Sequence, residues 1–223
     1  MDSIYQQFAR ITSALASPSR LKLLDRLCQG EQTVEQLAAA ASLSVSNASR
    51  QLRTLAECRL AFVRRDPPRV YYQVADEQVI RFWFALRDLA RERLADLDRI
   101  VAELVSGRDP LRPMSRDELL ARMGAGDVVL IDVRPEPEYR AAHIPGALSI
   151  PVEDLETKLA TLPMGRDVVA YCRGPYCMLS ADAVEALRAR GIAAVRLEDG
   201  LPEWKAAGLP VLTAEQELAC SPY

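Results

Sequence analysis

Apolar positions in the first hundred residues recur at helical spacing. Ile4, Phe8, Ile11 and Leu15 fall on one face of a first helix, following the three- and four-residue step that a helix imposes. Ser17-Pro18-Ser19-Arg20 breaks the pattern and starts a second helix over 21–28, which Gly30 can end. Thr33 is placed to cap a short third helix reaching Ala40, and Ser44 to cap a fourth over 45–57. The brief turn Ser42-Leu43-Ser44 joins these two as a helix-turn-helix, whose second member normally enters the DNA major groove. Two β-prone runs, 60–65 and 69–74, flank Asp66-Pro67-Pro68 and predict a hairpin. Arg64, Arg65 and Arg69 near its tip are candidates for phosphate contacts.

From 76 to about 106 an apolar stripe through Val79, Phe82, Leu86, Leu89, Leu97 and Ile100 predicts one long helix. At 1.5 Å per residue it would run about 45 Å, more than so small a domain can cover. A second copy of the chain is the expected partner, giving a symmetric homodimer through this helix and the first. The alternative is packing within its own chain. A dimer would set two reading helices about one turn of double-stranded DNA apart, so an imperfect palindromic operator is expected.

The second half changes period. Short apolar runs at 128–133, 168–171 and 193–197 alternate with helical stretches, the order of a parallel sheet covered by helices on both faces. Sites in such sheets lie beyond the strand carboxyl ends, where Asp132-Val133-Arg134 and Cys172 fall. Asp132 and Arg134 are candidate site supports, or equally a salt bridge or loop brace. After Cys172 come Arg173, Gly174, Pro175, Tyr176, Cys177 and Met178, then an alanine-rich helix over 179–190. A loop ending on a helix N-terminus can bind anions and lower a thiol's pKa, which makes Cys172 the candidate nucleophile. The alternative is a buried cysteine serving as a small hydrophobe. Cys177, the second thiol, is either a disulfide or polysulfide partner, if the geometry suits, or a packing residue.

Composition fits two halves. A chain of 223 residues, 49% hydrophobic, can bury two cores. Ser106-Gly107-Arg108-Asp109-Pro110-Leu111-Arg112-Pro113 reads as a helix stop and stiff linker, dividing a first domain, 1–106, from a second, 115–215, across a linker at 107–114. Residues 1–108 carry 16 Lys/Arg against 13 Asp/Glu, a balance of +3, and residues 109–223 carry 12 against 18, a balance of −6. So small a surplus leaves the placement of the arginines as the stronger sign of nucleic-acid binding. No run of about 18 apolar residues predicts a membrane span, and the N-terminus lacks the features of a signal peptide. Five cysteines without a regular framework suit the reducing cytoplasm. Cys28 and Cys58 are read as buried structural thiols, with a redox pair as the rival, and Cys220 as exposed in a polar tail. The sole histidine, His143, lies in the second half, so no histidine-rich zinc site is expected between dimer helices, and no metal or cofactor is assigned.

Two resemblances sharpen these expectations. Ala14-Leu15-Ala16-Ser17-Pro18-Ser19-Arg20-Leu21, with Leu43-Ser44-Val45-Ser46-Asn47-Ala48-Ser49-Arg50-Gln51-Leu52 and Val70-Tyr71-Tyr72, resembles repressors of the ArsR family over about residues 10–100. The resemblance implies a winged helix with Ser46, Asn47, Ser49, Arg50 and Gln51 facing the groove, where Asn, Gln and Arg can pair with base edges. The alternative is an ordinary polar helix face. Many members of that family sense metals through thiols, which Glu31-Gln32-Thr33-Val34-Glu35 lacks.

In the second half, Leu130-Ile131-Asp132-Val133-Arg134 and Glu138-Tyr139-Arg140-Ala141-Ala142-His143-Ile144-Pro145-Gly146-Ala147 resemble the opening motif of rhodanese domains. Leu197-Glu198-Asp199-Gly200-Leu201-Pro202-Glu203-Trp204 with Gly208-Leu209-Pro210 is similar to their closing motif. This resemblance implies that Cys172 accepts a sulfane sulfur as a persulfide and passes it to a nucleophile, so sulfurtransferase activity is an open expectation. The loop departs from the family. With Ser180 matched to the family's Ser or Thr, the loop is longer than the family's, and Leu179 stands where the resemblance implies a basic residue. That weighs against efficient thiosulfate turnover and leaves arsenate- or phosphate-type oxyanion chemistry open.

The expected fold is therefore an N-terminal, mainly α winged helix-turn-helix with a long dimerisation helix, followed by a C-terminal α/β rhodanese-like parallel sheet. The expected function is a DNA-binding transcription regulator, a repressor by resemblance, addressed by sulfur or redox chemistry from a small sulfur donor or oxyanion. The alternatives are a sulfurtransferase or oxyanion enzyme tethered to DNA, and a scaffold in which Cys172 is inert.

Overall fold

The computed structural model of the chain describes residues 2–105, 112–159, 162–163 and 165–216. Two compact units divide between Arg93 and Leu94. Most of the expected linker at 107–114 lies outside the described residues, as does Cys220.

The first unit opens with α1 (Asp2–Leu15) and α2 (Pro18–Leu27), followed by a two-residue strand β1 (Gln32–Thr33) and α3 (Val34–Ala40). Thr33 caps α3 with a reciprocal box: its hydroxyl accepts from the Gln36 amide, and the Gln36 side chain accepts from Thr33 N–H, satisfying two amides that the helix leaves orphaned. Ser44 likewise accepts from the Asn47 amide and starts α4 (Val45–Glu57). The wing is β2 (Ala61–Asp66) paired antiparallel with β3 (Arg69–Val74), from Ala61↔Val74 to Asp66↔Arg69. Strand β1 joins the other edge of β3, through Gln32↔Tyr72 and Thr33↔Tyr71, an element the sequence pattern did not predict. Leu23, Leu24, Leu27, Leu37, Leu52 and Leu55 are fully buried and form the core on which α4 sits.

The long helix expected over 76–106 is two helices, α5 (Glu77–Arg93) and α6 (Ala95–Val105), the latter counted with the second unit. No proline or glycine stands at the break. Leu94, the sole large apolar residue between Leu89 and Leu97, is 59% exposed, so no packing supports the helical ladder there, and helix propensity by itself is weak support. The Leu94 carbonyl instead accepts from Leu97 N–H at 2.9 Å, a tight turn that restarts the helix. Along α1 and α5, Ile4, Tyr5, Phe8, Phe82 and Leu89 remain exposed.

The second unit is a four-stranded parallel sheet, β4 (Val128–Asp132), β5 (Leu148–Ser149), β6 (Asp167–Tyr171) and β7 (Ala194–Arg196), in the order β5-β4-β6-β7. The helices are α7 (Arg116–Ala125), α8 (Glu136–Ala141), α9 (Leu155–Lys158), α10 (Leu179–Arg188) and α11 (Leu201–Ala206). One face packs on Leu155, Ala183, Val184 and Leu187, and the other on Leu119, Leu201 and Trp204. Burial on both sides is why the central strands are continuous apolar runs rather than alternating ones. No described helix is long and apolar enough to cross a membrane.

Asp132 and Arg134 are both fully buried, 2.6 Å apart, at the end of β4. The Tyr171 hydroxyl, at the end of β6, donates to Asp132 at 2.6 Å and accepts from Ile144 N–H at 3.1 Å, while Arg134 donates to the Ala142 carbonyl at 2.8 Å. Of the two roles left open for this pair, the structure favours the brace. Asp132→Ala would leave a buried guanidinium uncompensated, so the second unit is expected to lose about 3–5 kcal/mol. Urea unfolding in a Trp83→Phe background, with Trp204 as reporter, checks this; an unchanged midpoint would show that the brace bears no load.

Candidate functional site

Strand β6 ends at Tyr171, and Cys172 follows at once, at the carboxyl edge of the sheet. The chain turns at Gly174, whose φ of +144° suits a residue without a Cβ. The Cys177 amide closes the turn onto the Gly174 carbonyl at 3.1 Å, and α10 begins at Leu179. Gly200 presses on this loop from the closing motif. A Cβ there would stand 2.3 Å from Gly174 N and 2.4 Å from the Arg173 carbonyl carbon, so no other residue fits without moving the loop. Glu203, three residues on, accepts from the Gly200 amide at 3.0 Å and lies against Gly174.

The two thiols share one loop, both are free, and the Cys172 sulfur lies 3.4 Å from the Cys177 carbonyl. Their surroundings differ. Cys172 is 2% exposed, and its sulfur faces the Cys177 carbonyl at 3.4 Å, the Gly174 carbonyl at 3.8 Å and the Ser180 hydroxyl at 3.3 Å. One backbone N–H, that of Ser180, points at it. Burial, with the neighbouring Cys177, pushes the Cys172 thiol well above its ordinary range. The half-buried Cys177 accepts a hydrogen bond from Cys172 and from the backbone amides of Arg173 and Leu179, near the Arg173 guanidinium. The Cys172 hydrogen bond, against the opposing cost of burial and with the help of these amides, draws the Cys177 thiol down to about 6.

The Gly174 and Cys177 carbonyls face the Cys172 sulfur and burial works against ionising it, while the surroundings of Cys177 act the other way.

The remaining loop residues play separate parts. Arg173 is paired bidentately with Glu138 of α8, both largely buried, with Nε to Oε2 at 2.9 Å. Much of its charge is therefore committed within the unit. Pro175 and Tyr176 form the tip, where Tyr176 is 42% exposed, and Met178 supplies the carbonyl that accepts from Asp182 N–H at 2.9 Å. His143 stacks on Tyr139 and is buried, in keeping with a structural role. Sequence reasoning matched Ser180 to the family's loop Ser or Thr but left Glu138, Gly200 and Glu203 without roles at the loop. The Gly200/Glu203 spacing, that of a capping box, was the available signal for two of them.

In the first unit, Ser46 and Arg50 are exposed on α4, while Asn47, Ser49 and Gln51 are half-buried. Gln51 accepts from Arg20 at 2.8 Å and donates to Asn47 at 3.2 Å, so its amide is already engaged. Arg20 also binds the Ser13 and Ala14 carbonyls, which ties α1 to α4. On the wing, Arg65 and Arg69 are exposed, but Arg64 is held by Glu31 at 2.6 Å and Asp66 at 3.2 Å and lies over the Tyr71 ring. Arg64 in turn holds the Glu31 carboxyl below its usual range. Arg53, absent from the sequence-based candidates, is exposed three residues past Arg50. It lines, with Arg65, Ser49 and Tyr72, a cleft of about 580 Å³ between α4 and the wing.

Comparisons agree with this division. The chain matches the family described as rhodanese-like domain over residues 115–207, and that described as bacterial regulatory protein, arsR family, over residues 17–61. It is 44% identical over 209 residues to the HTH-type transcriptional regulator Rv0324 of Mycobacterium tuberculosis (strain ATCC 25618 / H37Rv), spanning 94% of this chain and 92% of that one. A sulfurtransferase of Allochromatium vinosum is 34% identical over 90 residues, covering 40% of this chain and 82% of its own length. The homodimeric winged helix-turn-helix DNA-binding domain of Mb0332 from Mycobacterium bovis, solved by NMR, is similar at 38% identity with a TM-score of 0.40. That match covers 42% of this chain and 86% of the domain.

With its thiol drawn down, Cys177 should be alkylated at a rate that rises with pH through about 6 and levels off above. An ordinary thiol would rise through about 8.5. Iodoacetamide labelling with peptide mapping reads the profile for each cysteine. An inflection at Cys177 in the ordinary thiol range would overturn the assignment.

Proposed function

The chain belongs to the arsR family of bacterial regulatory proteins and joins to it a rhodanese-like domain, and on that premise we propose a transcription regulator, a repressor in the cytoplasm, whose DNA affinity answers to sulfane sulfur taken up at the cysteine loop. The observation that carries the proposal is the pair of free thiols in one loop at the carboxyl edge of the central strand, with the Cys172 sulfur 3.4 Å from the Cys177 carbonyl and 3.3 Å from the Ser180 hydroxyl at the start of α10. A thiolate so held attacks sulfane sulfur readily, and paired thiols can retain the result. The protein acts as a homodimer. The exposed apolar residues of α1 and α5 form a patch of the kind that marks an association surface. Ser46 and Arg50 on α4, with Arg53 and Arg65 at the wing cleft and the exposed Arg69 on the wing, are the groups offered to base edges and phosphates of a near-palindromic operator.

Coupling requires the modified and unmodified loop to differ in their preference for the DNA-bound state. The expected outcome is a change of about tenfold or more in operator Kd after polysulfide treatment, ~1.4 kcal/mol, abolished in the Cys172→Ser/Cys177→Ser double variant. Gel shift on the promoter of the protein's own operon measures it. Equal affinity before and after treatment, with sulfur bound, would instead favour a sulfurtransferase tethered to DNA, the role that the similarity to the Allochromatium vinosum sulfurtransferase suggests.

Arg50→Ala tests the reading helix by itself. It should cost about 1–3 kcal/mol on the operator and little on unrelated DNA if Arg50 reads a base. An equal loss on every sequence would mark a phosphate contact instead.

A further inference from the structure

An arginine side chain carries only donors, and arginines stand at both ends of one hydrogen-bonded chain of side chains in the first unit. At the inner end, the half-buried Arg20 donates to the Ala14 carbonyl, to the Ser13 carbonyl at 2.9 Å and to Gln51 Oε1 at 2.8 Å. Gln51 Nε2 donates in turn to Asn47 Oδ1 at 3.2 Å. At the outer end, the exposed Arg50 donates to that same oxygen, also at 3.2 Å. The polarity of the chain follows. Since neither guanidinium can accept, Gln51 must turn its oxygen to Arg20 and its nitrogen to Asn47, and Asn47 must turn its oxygen to Gln51 and Arg50.

Reading an adenine takes both ends of an Asn or Gln amide, the oxygen toward N6 and the nitrogen toward N7. Both ends of the Gln51 amide are committed inside the protein, and Asn47 Oδ1 faces a donor with each of its lone pairs. Neither residue is set to read a base, although both stand on the stretch of α4 expected to face the groove. Arg50 differs, because its contact with Asn47 takes one N–H of a larger fork on an exposed side chain.

We propose that Arg20 is a positioning residue for DNA recognition: through Gln51 and Asn47 it holds the Arg50 guanidinium ready to pair with a guanine, and Asn47 and Gln51 serve this relay instead of reading bases themselves. The inference rests on Arg50 reading a base and adds what aims it. Residues 50 and 51 lie three and four positions past 47, so the bonds among them are local to the helix. Arg20 brings in a distant element, the last turn of α1. The carbonyls it holds there belong to a helix C-terminus, where a cation is favoured. Arg50 is thereby fixed with respect to α1, a helix of the proposed association surface, and not to α4 alone. A side chain already held loses less freedom on meeting its base, and paired bonds to guanine O6 and N7 require a defined direction of approach.

The test measures Kd by gel shift for the full-length reduced protein on the promoter of its own operon, with each base pair of the bound site replaced in turn, and on unrelated DNA. Arg50→Ala should abolish the preference for one G·C pair in each half-site, a loss of about tenfold or more on the unaltered site. Gln51→Ala and Arg20→Lys should each weaken the preference at that same pair by about threefold to tenfold, leaving the other pairs and unrelated DNA within about twofold. Arg20→Lys keeps the charge but not the planar fork that reaches three acceptors at once. The double variant Arg20→Lys/Gln51→Ala should do no more than Gln51→Ala, as expected for members of one chain. Gln51→Ala leaves the Arg20 contacts with α1 in place, so the test stands even where Arg20→Lys unfolds. A preference lost at a different base pair in Gln51→Ala would make Gln51 a reader and overturn the relay. Equal losses on every DNA, or an unaltered preference at the Arg50 pair, would overturn it as well and leave Arg20 a brace of the fold. Should Arg50→Ala itself keep every base preference, the base-reading role beneath the relay falls with it, a result distinct from silence at Arg20 and Gln51 alone.

Discussion

The buried pair of Asp132 and Arg134 holds together the part of the second unit that matters for chemistry. Its carboxylate receives the Arg134 guanidinium, the Arg134 amide and the Tyr171 hydroxyl, and so ties the ends of the two central strands to each other. Tyr171 immediately precedes Cys172. Its hydroxyl also accepts from Ile144, while Arg134 reaches the Ala142 carbonyl, so the segment after α8 is fixed by the same network. Burial, together with the Asp132 charge, raises the Tyr171 phenol well above its ordinary range, which keeps it a donor. Two charges taken out of water at this depth add little net stability against an apolar substitute. What they contribute is a defined height and direction for the chain as it enters the cysteine loop.

Above that base the loop is shaped by backbone more than by side chains. Gly200 lets the closing motif lie against Arg173 and Gly174, and Glu203 and Glu138 fix the two sides of the contact. The peptide planes held there decide which sulfur sees carbonyls and which sees amides. A pair of chemically identical residues is made unequal in this way: one thiol is enclosed among carbonyls and pushed up by burial, the other is more open. Ser180, at the start of α10, supplies the hydroxyl nearest the enclosed sulfur.

Much of the fold was legible because it is written in local patterns. The caps at Thr33 and Ser44, the wing around Pro67 and Pro68, and the apolar runs of β4 and β6 each announce themselves within a few residues. Strand β1 was not legible, since two polar residues have no period and their pairing with Tyr71 and Tyr72 comes from far along the chain. The break at Leu94 escaped because the stripe continues on both sides, and what fails there is tertiary support. At the site, the position of Cys172 followed from the strand-loop-helix order. The acidity of Cys177 did not, because the orientation of a peptide plane leaves no mark on side-chain identity. Arg64 and Gln51 look like free polar groups in sequence; their partners Glu31 and Arg20 are distant in sequence, 33 and 31 residues away.

The engagement of Arg64 with Glu31 and Asp66 reaches beyond the wing's own architecture. A cation that already has internal counter-charges displaces no condensed ions from a polyanion. Each such arginine removed from the phosphate-facing set lowers the slope of log affinity against log salt by about 0.9. The winged unit should therefore grip nucleic acid less steeply with ionic strength than its tally of wing arginines implies. Its discrimination among sequences then depends to a greater degree on the exposed groups along α4.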